Sequence, residues 1–135
     1  MRRAFQTFAA LVSMLALGGC LSSGASLTAA PAPALPASAL ALRPSLPKSG
    51  DVALSGRAEQ GALLAQYQAL QFGSVGQAVP WSAGAYRGEV TPTQLYRIGS
   101  QDCRGYTHVV TRGNATTRQV GTACRTGADT WTPVG

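Results

Sequence analysis

Hydrophobic residues recur at intervals of three and four between positions 51 and 72, which is the period of one face of a helix. Ser55 is a candidate N-cap for this segment, and Gly73 is placed to end it. The pattern predicts one amphipathic helix over residues 54–72 that covers a core; a helix that contacts a membrane surface or a partner is the alternative. The apolar positions are Leu54, Ala58, Ala62, Leu63, Ala65, Tyr67, Ala69, Leu70 and Phe72.

From residue 76 onward, short segments rich in Val, Thr and Tyr alternate with Gly, Pro and Asn, as in strands joined by tight turns. Pro92 suits a sheet edge or a bend because it has no backbone N–H. We predict a mainly β fold, a small antiparallel sheet or barrel over residues 76–133, preceded by the one helix. The candidate strands are residues 78–81, 88–92, 94–98, 103–112, 116–125 and 130–132.

The start of the chain has the composition of an export signal. Arg2 and Arg3 precede an apolar run over residues 9–17, which is shorter than the roughly 20 residues that span a bilayer. Because small residues close this run, the sequence predicts a secretory signal peptide over residues 1–19.

The residues that end this signal are Leu17-Gly18-Gly19-Cys20. They resemble the lipobox of bacterial lipoproteins, in which a large aliphatic residue and two small ones precede an obligatory cysteine. The resemblance implies that Cys20 carries the lipid and becomes the first residue of the mature protein, with several acyl chains holding it in the membrane. An ordinary signal peptide with a chance cysteine, or an uncleaved helix, is the alternative. An Asp directly after the lipidated cysteine retains many lipoproteins in the inner membrane. This chain has Leu21 there instead, and the absence of the Asp favours the outer membrane.

Between the lipobox and the predicted helix, the chain is rich in Ala, Pro, Ser and Leu. Five prolines interrupt it, and proline stops a regular helix. We therefore predict that residues 20–50 form the lipidated cysteine and a disordered tether, and that one small domain occupies residues 51–135. The five prolines are Pro31, Pro33, Pro36, Pro44 and Pro47.

Charge gives little information about partners. Removal of residues 1–19 takes two of the eleven basic residues, which leaves nine against five acidic ones, so the mature chain carries about +4. The basic residues are scattered rather than gathered into a stripe, so no nucleic-acid partner is predicted. An acidic envelope surface or another envelope protein remains compatible with this charge.

Two cysteines remain once Cys20 is assigned to lipid, and an even number in an exported domain favours a disulfide. If Gly113-Asn114 is a two-residue hairpin loop, paired residues have numbers that sum to 227. Cys103 and Cys124 satisfy this sum and fall at a non-hydrogen-bonded pair, where Cα atoms come closest. The sequence therefore predicts a Cys103–Cys124 disulfide.

The same register makes two further predictions. It places Asp102 opposite Arg125, which favours a cross-strand ion pair. It also places Tyr106 opposite Gly121, where the ring can cover bare backbone.

The motifs of the C-terminal half resemble those of the 17-kDa surface antigen family of proteobacterial outer-membrane lipoproteins. The matching residues are Trp81, 88–92, 103–106, 121–125 and Trp131. The resemblance implies an envelope-exposed β domain on a lipid anchor and suggests no chemistry. Two departures are that a Pro/Ala segment replaces the family's glycine zipper, and that Ala128-Asp129-Thr130 replaces its Asp-Gly.

Residues capable of chemistry are few. His108 is the single histidine, and we expect it to be a surface or half-buried strand residue. We predict no catalytic residue, no metal site and no cofactor, because His108 and two disulfide-bound cysteines do not make a zinc site. Trp81 and Trp131 are predicted to be core residues or residues that cover the sheet.

Arg104 and Arg125 each follow a cysteine of the predicted disulfide. A structural role, through ion pairing or packing of their aliphatic stems, is one interpretation. Recognition of an acidic partner is the other, and it makes both of them candidate partner-binding residues.

The sequence thus indicates a non-enzymatic, lipid-anchored outer-membrane lipoprotein with a structural or interaction role in the envelope. A periplasmic binding protein such as a lysozyme inhibitor is one alternative. An accessory lipoprotein of a secretion or pilus apparatus is another.

Overall fold

The computed structural model describes residues 34–135. The predicted signal peptide, Cys20 and the first part of the predicted tether lie outside this range. The described chain is mainly β, as predicted, and forms one open antiparallel sheet with two α-helices and one 3-10 turn. The elements are α1 (Ala37–Leu40), a 3-10 turn (Arg43–Ser45), α2 (Gly56–Phe72), β1 (Val79–Ala83), β2 (Tyr86–Ile98), β3 (Gln101–Arg112), β4 (Ala115–Arg125) and β5 (Trp131–Val134).

The sheet is a meander in which each strand pairs with the next along the chain, in the order β1-β2-β3-β4-β5. Three of the four connections are two residues long, and Gly113 in the β3–β4 turn has the positive φ of 58° that such turns require. The register of β2 shifts between Pro92 and Leu95, so the two segments predicted on either side of Pro92 form one strand with a bulge.

Helix α2 lies against one face of the sheet, which we call the inner face. It runs from Gly56 to Phe72, within two residues of the prediction, and Gly73 follows it as predicted. Ser55 occupies the N-cap position, although its hydroxyl makes no capping hydrogen bond. The buried side of the helix consists mainly of alanines, which allow close approach to the sheet. These buried residues are Ala58, Ala62, Leu63, Ala65, Gln66, Ala69 and Leu70.

The core lies between α2 and the inner face of the sheet. Both tryptophans belong to it, as predicted: Trp131 is fully buried, and Trp81 packs at Gly61, where an added Cβ would lie 3.2 Å from its ring. The other core residues contributed by the sheet are Val90, Tyr106, Val110 and Ala123.

The prediction of a disordered tether is wrong for residues 34–50, which fold onto the domain. Leu42 is fully buried and Leu46 is 5% exposed, so their burial offsets the cost of ordering this segment. The prolines do not prevent this, because Pro36 precedes α1 and Pro44 lies in the first turn of the 3-10 segment, where no N–H is needed. The domain therefore begins well before residue 51.

The predicted hairpin register is confirmed. Cys103 pairs with Cys124 and forms the disulfide, with the two Cα atoms 4.0 Å apart. Tyr106 pairs with Gly121, where an added Cβ would lie 2.5 Å from the phenol oxygen. A glycine is therefore needed opposite this ring.

The predicted ion pair between Asp102 and Arg125 is wrong. The β3–β4 ladder ends at the disulfide, and Asp102 instead pairs with Arg97 on β2, with an Nη2–Oδ1 distance of 3.2 Å. The Arg125 guanidinium lies over the Trp131 ring, 4.8 Å from its centroid.

Candidate functional site

Residues 34–135 contain no cluster of three or more His, Cys, Asp or Glu side chains that could hold a metal ion. No helix within this range is long and apolar enough to cross a membrane. The described candidates from the sequence are therefore His108, the disulfide and the two arginines that follow its cysteines. Each lies on a strand of the β3–β4 hairpin.

His108 lies on the inner face of β3 and is fully buried, so the expectation of a surface or half-buried residue is wrong. The Trp81 Nε1–H donates a hydrogen bond to His108 Nε2 over 2.9 Å. Because an indole nitrogen can only donate, Nε2 carries the lone pair and the proton resides on Nδ1. His108 Nδ1 then donates to Gln66 Oε1 over 3.1 Å.

The same series of hydrogen bonds continues to the N-terminal segment. Gln66 Nε2 donates to Ser45 Oγ over 2.6 Å, and Ser45 Oγ donates to the Leu42 carbonyl over 2.7 Å. We call Trp81, His108, Gln66, Ser45 and Leu42 the buried hydrogen-bond chain. Every donor points the same way along it, and it connects β1, β3, α2 and the N-terminal segment, so its role is structural.

Burial lowers the pKa of His108 to about 4, because a charged imidazole would lose its hydration. Protonation would also bring an Nε2–H against the indole N–H of Trp81, two donors facing each other. The histidine is therefore neutral near pH 7. With both ring nitrogens engaged inside the core, it is not placed to act on a substrate.

Arg104 is also a buried polar residue, with 5% of it exposed. Its Nη1 donates to the carbonyls of Ala69 and Leu70 over 3.1 and 3.0 Å, and its Nη2 donates to Gly73 over 2.6 Å. These carbonyls belong to the end of α2, where a helix leaves acceptors unsatisfied and its dipole favours a positive charge. Its Nε donates to the Thr93 carbonyl at the β2 bulge over 2.7 Å.

The candidate role of Arg104 in binding a partner is therefore wrong, because its guanidinium is buried and hydrogen-bonded to carbonyls inside the domain. Burial lowers its pKa, yet arginine stays protonated in proteins, so the helix end receives a full positive charge. Of the two interpretations from the sequence, the structural one holds for Arg104, through carbonyl contacts rather than an ion pair.

Arg125 differs from Arg104 because it is partly exposed and stacks on Trp131. A cation held over an indole ring in this way stabilises the strand end modestly. Its Nε has no hydrogen-bond partner among the described residues. Partner binding by Arg125 stays a prediction.

Sequence reasoning did not single out Gln66 or Ser45. For Gln66 a signal was present, because it lies three and four residues from the buried positions Ala62, Leu63, Ala69 and Leu70. A polar residue in the apolar stripe of a helix indicates a buried hydrogen-bond partner. For Ser45 there was no such signal, since it lies in the segment predicted to be disordered.

An apolar groove lies along α2, lined by Pro36, Leu64, Tyr67, Gln68, Phe72, Gly73 and Val79. Phe72 at its rim is 73% exposed, and Val75 just beyond the helix is 55% exposed. Exposed apolar side chains that lie close together make this groove a candidate contact surface.

Comparison of the chain with family models, with curated proteins and with solved structures gives no match in any of the three. The functional assignment therefore rests on the sequence motifs and on the geometry of the described residues.

Proposed function

We propose that this chain is a lipid-anchored lipoprotein of the outer membrane with a structural or interaction role in the cell envelope. The observation that carries the proposal is Leu17-Gly18-Gly19-Cys20 directly after a short apolar run. Two small residues give a peptidase access to the backbone, and only a thiol can form the thioether to the lipid.

The disulfide supports export from the cytoplasm. Cys103 and Cys124 are joined in the folded domain, and such bonds persist in oxidising compartments such as the periplasm. Cys20 is then the one remaining thiol of the three cysteines in the chain. This leaves it available for the lipid.

A non-enzymatic role is proposed because the chemically versatile residues are used to hold the fold. His108 bonds to Trp81 and Gln66, and Arg104 bonds to the end of α2. The apolar groove on α2 and the partly exposed Arg125 are better suited to contacts than to chemistry.

Membership of the 17-kDa surface antigen family is part of this proposal. Two elements of the shared motif have a physical reason here: Arg104 completes the end of α2, and Gly121 leaves room for Tyr106. Lysozyme inhibition has no comparable support. Within residues 34–135, three of the four strand connections are two-residue turns and the fourth is residues 126–130, so none is a long loop for an enzyme cleft.

The test is incorporation of a clickable palmitate analogue in bacteria that produce the protein, followed by membrane fractionation. We expect label on the wild type, in the outer-membrane fraction, and no label on Cys20→Ser. The double variant Cys103→Ser/Cys124→Ser is the matched control, because it also loses thiols and should stay labelled. Label that persists on Cys20→Ser, or wild type without label, would refute the proposal.

A further inference from the structure

Strand β5 covers only part of β4. The four residues of β5 pair with positions 122–125, whereas residues 115–121 of β4 have no strand on the side away from β3 within the described chain. We call residues 115–121 the open β4 edge. It is long enough to pair with a short strand from another chain.

The register tells which backbone groups this edge offers. The turn at Gly113-Asn114 makes Arg112 and Ala115 a hydrogen-bonded pair, and such pairs alternate along an antiparallel ladder. Residues 115, 117, 119 and 121 therefore bond to β3. Thr116, Arg118 and Val120 turn their N–H and C=O groups outward, and this row of unpaired groups is a template for an added strand.

The other strands with free edges carry features that block such addition. Pro80 lies in β1 and Pro133 in β5, and the uncovered part of β2 contains Pro92 followed by a bulge. Prolines and bulges protect sheet edges. The open β4 edge has neither, and Val120 on it is 71% exposed.

A polar cavity of about 380 Å³ lies beside this edge, between β4 and the N-terminal segment. Tyr106, Gln119 and Ser45 are among the residues that line it. The Gln119 Oε1 atom is buried and receives no hydrogen bond within the described chain, which is uncommon for a buried acceptor. A side chain with an N–H or O–H group on the added strand would satisfy it.

Charge selects between a second copy of this chain and a different partner. Two copies of the edge paired about a two-fold axis at Arg118 would place the two Arg118 side chains opposite each other, which is destabilising. The open β4 edge contains Arg118 and no acidic residue, and Arg112 ends the neighbouring strand. The edge is thus complementary to acidic residues.

We propose that the open β4 edge binds an extended, acidic peptide segment of a partner protein as a sixth strand of the sheet. This names a partner class for the interaction role proposed above and rests on it. Lipidation of Cys20 is measured independently, so either proposal can fail alone. In strand addition of this kind, backbone hydrogen bonds supply affinity and side-chain pockets supply specificity.

The test pans a random heptapeptide phage library against the full-length protein in detergent micelles. We expect selected peptides that are acidic and free of proline. Hydrogen exchange with a selected peptide should slow the amides of Thr116, Arg118 and Val120 at least tenfold. Failure to enrich any sequence, or protection elsewhere on the domain, would overturn the proposal.

Variants locate the site. Val120→Pro removes an N–H that points away from β3, so the fold should persist while the affinity for the peptide falls about tenfold. Val120→Thr keeps the N–H and should bind the peptide normally.

Arg118→Glu should lower the affinity for acidic peptides about fivefold, whereas Arg57→Glu, the same charge change on α2, should leave it unchanged. If Val120→Pro unfolds, the comparison of Arg118→Glu with Arg57→Glu tests the proposal. Equal binding by Arg118→Glu and Arg57→Glu, or a homodimer that is lost in Arg118→Glu, would contradict the proposal.

Discussion

Arg104 and Arg125 each follow a cysteine of the same disulfide, yet one lies inside the domain and the other stacks at its periphery. The Arg104 guanidinium donates to four carbonyls at the end of α2 and the β2 bulge. The Arg125 guanidinium lies over Trp131 and remains partly exposed. The same dipeptide therefore has two uses, and the nearby helix end determines which one applies.

The largest effect is expected from Arg104→Ala. Loss of the guanidinium leaves buried carbonyls without donors, so the free energy of unfolding should fall by about 4 kcal/mol. Urea unfolding followed by tryptophan fluorescence would measure it. The stability of Arg104→Lys should lie between those of the wild type and Arg104→Ala, since an ammonium cannot reach all four carbonyls. A change below about 1 kcal/mol for Arg104→Ala would show that the helix end does not depend on this residue.

The pH dependence separates His108 from Arg104, which stays charged throughout. The folded pKa of His108 is about 4 and the ordinary value is 6.5, so the unfolded chain binds a proton first as the pH falls. The contribution of neutral His108 to the free energy of unfolding is complete above pH 6.5. It is lost progressively towards pH 4, by roughly 3 kcal/mol. His108→Gln should abolish this slope between pH 6.5 and 4.5. An unchanged slope in that variant would assign it to other groups.

The disulfide joins the parts of β3 and β4 that carry Arg104 and Arg125, and its loss should destabilise both. Cys103→Ser/Cys124→Ser frees a loop with a sequence separation of 21, so the free energy of unfolding should fall by roughly 3 kcal/mol. Thermal unfolding by circular dichroism would measure the change. Stability equal to that of the wild type would mean that the hairpin register alone holds these strand ends.

The smallest effect is expected at the second arginine. Arg125→Ala removes a partly exposed cation from the Trp131 ring and should cost about 0.5–1 kcal/mol. The same urea assay tests it beside Arg104→Ala. If the two variants were destabilised equally, the contrast between the arginines would be wrong.

The parts of the fold that local patterns encode were predictable. The period of residues 54–72 predicted α2, and a two-residue turn with two cysteines predicted the register of β3 and β4. These predictions held because helix periodicity and hairpin pairing depend on residues close in sequence or on one symmetric turn.

The errors at Arg104 and His108 concern contacts between distant segments. Arg104 meets carbonyls more than thirty positions away, and His108 meets Gln66 at a separation of 42. No local pattern encodes such pairs. Five prolines predict disorder by their number, but Pro36 and Pro44 lie at the starts of short helical turns, where a proline is tolerated.

The most direct test of the lipoprotein assignment is the intact mass of the protein purified from bacterial membranes without reductant. We predict a chain that begins at Cys20, carries acyl chains on that residue and lacks two hydrogen atoms because Cys103 and Cys124 form a disulfide. A mass that fits the unprocessed precursor, or a chain with a free thiol at Cys20, would contradict the assignment.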